Sequence, residues 1–84
     1  MNIFVARLNF KTRHEDLEQA FARFGQVASA KIVKDRETGR SKGFGFVEMP
    51  NDEEANKAIA ALNETELDGR TIVVKPANPK GQEG

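Results

Sequence analysis

The octapeptide Lys42-Gly43-Phe44-Gly45-Phe46-Val47-Glu48-Met49 constrains what this chain can fold into more than any other segment. It reads as a strand, in which successive side chains point to opposite faces. Lys42, Phe44, Phe46 and Glu48 then share one face, and Gly43, Gly45, Val47 and Met49 share the other. Neither face is plainly polar, so a sheet with one core side and one wetted polar side does not account for the pattern. If the phenylalanines faced the core, Val47 and Met49 would stand exposed beside two glycines, an apolar and poorly filled surface. With Val47 and Met49 turned inward, two rings stand bare beside a cation. Such a surface suits single-stranded nucleic acid, because every base has a π-face and every nucleotide a charge.

The neighbouring segments predict the rest of a sheet and two helices. Asn2 to Leu8 is extended, with Ile3 and Val5 on one face and Phe4 and Ala6 on the other. Thr12 followed by Glu15 predicts a capping box, and Leu17, Ala20, Phe21 and Phe24 recur at helical spacing up to a C′ glycine at Gly25. Val27 to Lys34 predicts a second strand with Val27, Ala30 and Ile32 buried, which requires a bulge near Ser29. A charged loop follows, with Gly39 at its turn, and then the octapeptide strand, which Pro50 stops. Asn51 with Glu54 caps a second helix bearing Ala55, Ala58, Ile59 and Leu62. Asp68-Gly69 makes a turn, and Thr71 to Lys75 predicts the last strand, with Ile72 and Val74 inward.

This β-α-β-β-α-β order predicts an α+β, ferredoxin-like split β-α-β fold, a four-stranded antiparallel sheet with two helices on one face. The other face stays open. The first and third strands lie side by side at its centre, so Phe4 joins Phe44 and Phe46.

The octapeptide resembles the longer signature of the RNA recognition motif family, matching seven of its eight positions. Met49 stands where an aromatic residue is usual. Ile3-Phe4-Val5-Ala6-Arg7-Leu8 resembles the shorter signature of the same family, with Arg7 for the usual Asn and Ala6 for a frequent Gly. The likeness covers roughly residues 2–77. The loop Asp35 to Ser41 and the octapeptide look especially like small bacterial and cyanobacterial single-domain RNA-binding proteins. Plant glycine-rich RNA-binding proteins are similar too, although no glycine-rich tail follows in this sequence.

The resemblance implies a binder of single-stranded RNA, with single-stranded DNA or a protein partner as alternatives. Single-domain relatives suggest modest affinity, as in an RNA chaperone or a post-transcriptional regulator. Phe4 and Phe46 would stack on adjacent bases, Phe44 would wedge against sugars, and Lys42 would meet a phosphate. Lys31, Val33, Val73 and Lys75 border the same face, and Arg36, Arg40 and Lys34 lie in or beside a loop able to close over RNA. Arg7 points inward by strict parity, where a lone guanidinium is costly. It is expected to escape through the strand end and pair with an acid.

Composition narrows the alternatives. The 84 residues make one domain, expected over residues 1–77, with an apolar-free tail over 78–84 expected to be mobile. There is no cysteine and one histidine, so there is no thiolate zinc site, no cysteine nucleophile and no second His or Cys to complete a metal or nucleophile site, and neither enzyme activity, a cofactor nor a small-molecule substrate is expected. No apolar run reaches membrane-spanning length and no signal peptide is apparent, so no membrane contact and a cytoplasmic location are expected. The formal net charge is zero, which weakens long-range attraction to a polyanion. The charge is nonetheless uneven. Residues 31–42 hold five basic side chains against Asp35 and Glu37, a local net of +3.

Overall fold

A computed structural model of the chain describes residues 1–77; the expected tail, 78–84, lies outside the described residues. The elements run β1 (Asn2–Ala6), α1 (His14–Ala22), β2 (Ser29–Lys34), β3 (Ser41–Glu48), α2 (Asp52–Leu62), β4 (Glu66–Leu67), β5 (Arg70–Thr71) and β6 (Val73–Pro76). The main sheet is antiparallel in the order β2-β3-β1-β6, and β4 and β5 form a separate two-stranded hairpin. This is the expected split β-α-β arrangement, with that hairpin added ahead of a shorter last strand. Its turn is Asp68-Gly69, both at positive φ (53° and 82°), and Ile72 between β5 and β6 is buried.

The core lies between the helices and one face of the sheet. It contains Ile3 and Val5 of β1, Val47 of β3 with Met49 just beyond it, Ile72 and Val74, Leu17 and Phe21 of α1, and Ala55 and Ala58 of α2. Ala20, Phe24, Ile59 and Leu62 complete the two helical stripes from half-buried positions. Met49 is fully buried, so its departure from an aromatic residue falls on packing.

Four local expectations are corrected. Thr12 does not cap α1. Arg13 is the N-cap residue, and its backbone N–H donates to Asp16 Oδ2 at 3.0 Å. The Thr12 hydroxyl is instead buried and donates to Asp68 Oδ2 at 2.6 Å, across 56 residues of sequence. No bulge is needed near Ser29, because β2 begins there and Val27 precedes it; the register shift falls between Ile32 and Lys34. Gly25 does not supply a left-handed cap. Its φ is 159°, extended backbone, and a Cβ there would run into the Glu54 side chain.

Arg7 neither points inward nor has an acidic partner among the described residues. The strand stops at Ala6, and Arg7 turns to φ 62°, which swings its side chain to solvent and returns Leu8 to the core. Left-handed backbone costs an ordinary residue roughly 1–2 kcal/mol and suits Asn better. The Asn of the hexapeptide pattern therefore answers a backbone requirement that Arg7 meets at some strain. The second helix start is as expected, with Glu54 N–H donating to Asn51 Oδ1 at 3.0 Å.

Candidate nucleic-acid interface

The two signature segments are held side by side on the uncovered face of the sheet. Strand pairing sets Phe4 directly opposite Phe46 and Ala6 opposite Phe44. Lys31 of β2 lies opposite Phe46, and Lys75 of β6 lies opposite Phe4. One row therefore crosses all four strands as Lys31, Phe46, Phe4 and Lys75. Two rings stand at its centre and a cation at each end.

The rings are close enough to brace one another. Phe4 lies 5.7 Å from Phe44 and 5.5 Å from Phe46 between centroids, tilted by about 50° in each case (48° and 51°). Phe44 and Phe46 meet edge to face at 6.4 Å. Such contacts contribute about 0.5–1.5 kcal/mol beyond area burial and hold the rings in place before any ligand arrives. Lys75 Nζ sits 5.7 Å from the Phe4 centroid, a cation–π distance. Phe46 remains 39% exposed, while Val47 beside it in the chain is 1% exposed.

The octapeptide glycines serve the backbone. On this backbone a Cβ at Gly45 would meet the Lys31 carbonyl oxygen, so β2 packs closely against β3 where Gly45 has no side chain. Gly43 has φ 86°, which L side chains rarely adopt, and its carbonyl accepts from Leu8 N–H at 2.8 Å.

Two hollows open on the flanks of the ring cluster. A small one of about 340 Å³ lies beside Phe46 toward Asn2, Ser29 and Glu48. A wider trough runs from Phe44 and Lys42 past the β2–β3 loop to the chain between β1 and α1. Among the residues singled out from sequence, Lys42 is exposed at the head of β3, and Val33 is half-buried at the register shift of β2. Val73 is half-buried opposite Ala6. Arg40 and Lys34 line the trough; Arg36 is exposed in the same loop and borders neither hollow. The loop itself is shaped by Asp35, whose Oδ1 accepts from Glu37 N–H at 2.8 Å and Thr38 N–H at 3.2 Å.

Phe10 is the residue that reasoning from sequence missed. It is 66% exposed, more than any other large apolar side chain on the described surface. The available signal was an aromatic residue in a short connection, outside any strand or helix periodicity that would bury it. Among the described residues, no group of three or more His, Cys, Asp or Glu is placed to hold a metal ion, and no helix is long and apolar enough to cross a membrane.

A split β-α-β fold that leaves aromatic rings bare on its sheet defines a class of binding domain. Comparison with known proteins identifies the family: residues 3–73 match the model of the RNA recognition motif. The chain belongs to the RNA recognition motif family, which is not an enzymatic one. It is 51% identical over 78 residues to glycine-rich RNA-binding protein 2 of Sorghum bicolor, covering 93% of this chain and 46% of that protein. A glycine-rich RNA-binding protein of Daucus carota is 49% identical, over 93% of this chain and 50% of the relative. The chain thus spans about half the length of these curated relatives. Among solved structures, that of the RNA-binding protein PG1 superposes with a TM-score of 0.89 at 49% identity, covering 92% of this chain and 93% of the other. The sex-lethal protein in complex with RNA superposes with a TM-score of 0.85 at 32% identity, covering 90% of this chain and 47% of the other.

Proposed function

We propose that the chain binds single-stranded RNA on the open sheet face, by stacking bases on Phe4 and Phe46 while lysines meet the phosphates. The row Lys31, Phe46, Phe4, Lys75 carries this reading, because it offers what a nucleotide strand needs: π-faces for bases at its centre and cations for phosphates at its margins. RNA binding by relatives of half identity supports it. Both hollows are open to solvent, and stacking tolerates any base. Together with a zero net charge, this favours modest affinity and rapid exchange, which suits an RNA chaperone in the cytoplasm better than a tight, sequence-selective clamp.

An NMR titration with short single-stranded RNA tests the site. Amide shifts are expected to concentrate on residues 3–8, 31–34, 42–48 and 71–77. Shifts confined to α1 and α2 would show instead a domain that uses its helical side. A DNA oligomer of the same sequence, titrated in parallel, weighs the contribution of the 2′-hydroxyl.

Lys42 is expected to act on phosphate, since it is exposed at the end of the ring face and lies within the basic 31–42 segment. Lys42→Ala should weaken unrelated oligomers about equally and reduce the magnitude of the salt slope by roughly 0.7, the single-strand value for one lost phosphate contact. Affinity measured against salt for two sequences checks this. A loss confined to one sequence at unchanged slope would assign Lys42 to a base.

A further inference from the structure

Resting on that reading of the open face, we infer that Phe10 provides an additional stacking site, beyond the sheet, for a nucleotide of the same RNA strand. The Phe10 ring is two-thirds in water, so most of its π-face is free to stack on a base. This ring is also held in place. Asn9 and Thr12 close a turn around it, with Thr12 N–H donating to the Asn9 carbonyl at 2.9 Å and Lys11 N–H donating to Asn9 Oδ1 at 2.8 Å. The turn is anchored at both ends to Asp68: Asn9 Nδ2 donates to its carbonyl at 2.9 Å and the Thr12 hydroxyl to its carboxylate at 2.6 Å. The ring itself lies against Gly43, where an added Cβ would stand 3.2 Å from Phe10 Cε1. A ring presented on a tethered turn loses little freedom when a base settles on it.

The surroundings select the occupant. Phe10 borders the trough that begins at Phe44 and Lys42, so the site continues from the ring cluster. Lys11, Arg13, Lys34 and Arg40 line the same trough with Lys42, against the acids Glu15 and Asp35. A basic trough with an exposed ring fits a phosphate backbone bearing a base; an acidic protein surface would answer the cations but brings no regular run of π-faces for the ring.

The test compares two lengths of single-stranded oligo-U with the full chain. One has about four nucleotides, enough for the sheet rows, and one about ten, enough to enter the trough. Phe10→Ala should weaken the longer oligomer by about 5- to 150-fold and leave the shorter unchanged, the range expected for one stacked base. Phe10→Leu, which keeps an apolar side chain without a π-face, should lose nearly as much, and Phe10→Trp should restore binding. Two results overturn the inference: equal loss at both lengths, which makes the ring a prop for Gly43, or no loss at either length, which leaves the ring to some other partner. If the unsubstituted chain binds neither oligomer, the reading of the open face fails first, so the two failures are told apart.

Discussion

Phe46→Ala is expected to weaken RNA binding by about 1–3 kcal/mol, or about 5- to 150-fold in Kd, while leaving the domain folded. The ring lies at the centre of the cation–ring–ring–cation row, and its exposure of 39% leaves a face for a base. Its removal forfeits contacts with Phe4 and Phe44 but opens no core cavity, so the change in stability should stay near 1 kcal/mol. Stacking releases no counterion, so the salt slope should be that of the unsubstituted protein. Val47→Ala, one residue along, should show the reverse. Val47 is 1% exposed in the core, and its truncation should cost about 2 kcal/mol of stability with little change in the affinity of the folded fraction. Denaturant melts and binding isotherms on the two variants check both halves. If Phe46→Ala melts early and Val47→Ala binds poorly, the faces of β3 are assigned the wrong way round.

Gly45→Val is expected to be highly damaging, because the family signature admits nothing larger than Ala at this position and a branched side chain here would press on Lys31 and Ile32. The new Cβ would meet the Lys31 backbone carbonyl, which cannot rotate away as a flexible side chain can. Relief requires β2 to move off β3, breaking the pairing of Ile32 with Gly45 and Lys31 with Phe46. A cost of about 3 kcal/mol follows from the upper range for overpacking. A domain over residues 1–77 has about 4–12 kcal/mol of total stability, so this loss is a large fraction of it. The corresponding fall in Tm is roughly 12–24 °C. A calorimetric scan within a few degrees of the parent would mean that β2 shifts freely. Affinity should fall as well, because Lys31 would be carried out of the ring row.

The order of the elements was legible because periodicity survives tertiary context. Leu17 and Phe21 reveal one helix, Ala55 and Ala58 the other, and Ile3, Val5, Val47 and Val74 show which side of each strand is covered. Phe4, Phe44 and Phe46 could be gathered onto one surface from parity and topology alone. The features that escaped are those in which a long-range partner overrides a local pattern. Thr12 has the spacing of a helix cap, yet its hydroxyl is taken by Asp68, which no local window contains. Arg7 follows strand parity only until the backbone turns left-handed, a conformation its own residue type does not announce. The β4–β5 hairpin has only two residues per strand, too few to show alternation. Phe10 was hidden by the absence of any period to assign it to.

The sheet order has a consequence for the time at which the binding surface comes into being. β1 is a central strand, yet its partners β3 and β6 begin at residues 41 and 73. During synthesis the strand that carries Phe4 leaves the ribosome long before either neighbour exists. The hairpin of β2 and β3 is the sheet's one pairing between consecutive strands, and contacts close in sequence form fastest. A partial chain can thus set Lys31 opposite Phe46, but Phe4 reaches Phe46 only when β1 docks, and Lys75 reaches Phe4 only when nearly the whole domain has been translated. The complete row is a feature of the finished domain alone. A nascent chain would present the full row only after its last strand had emerged.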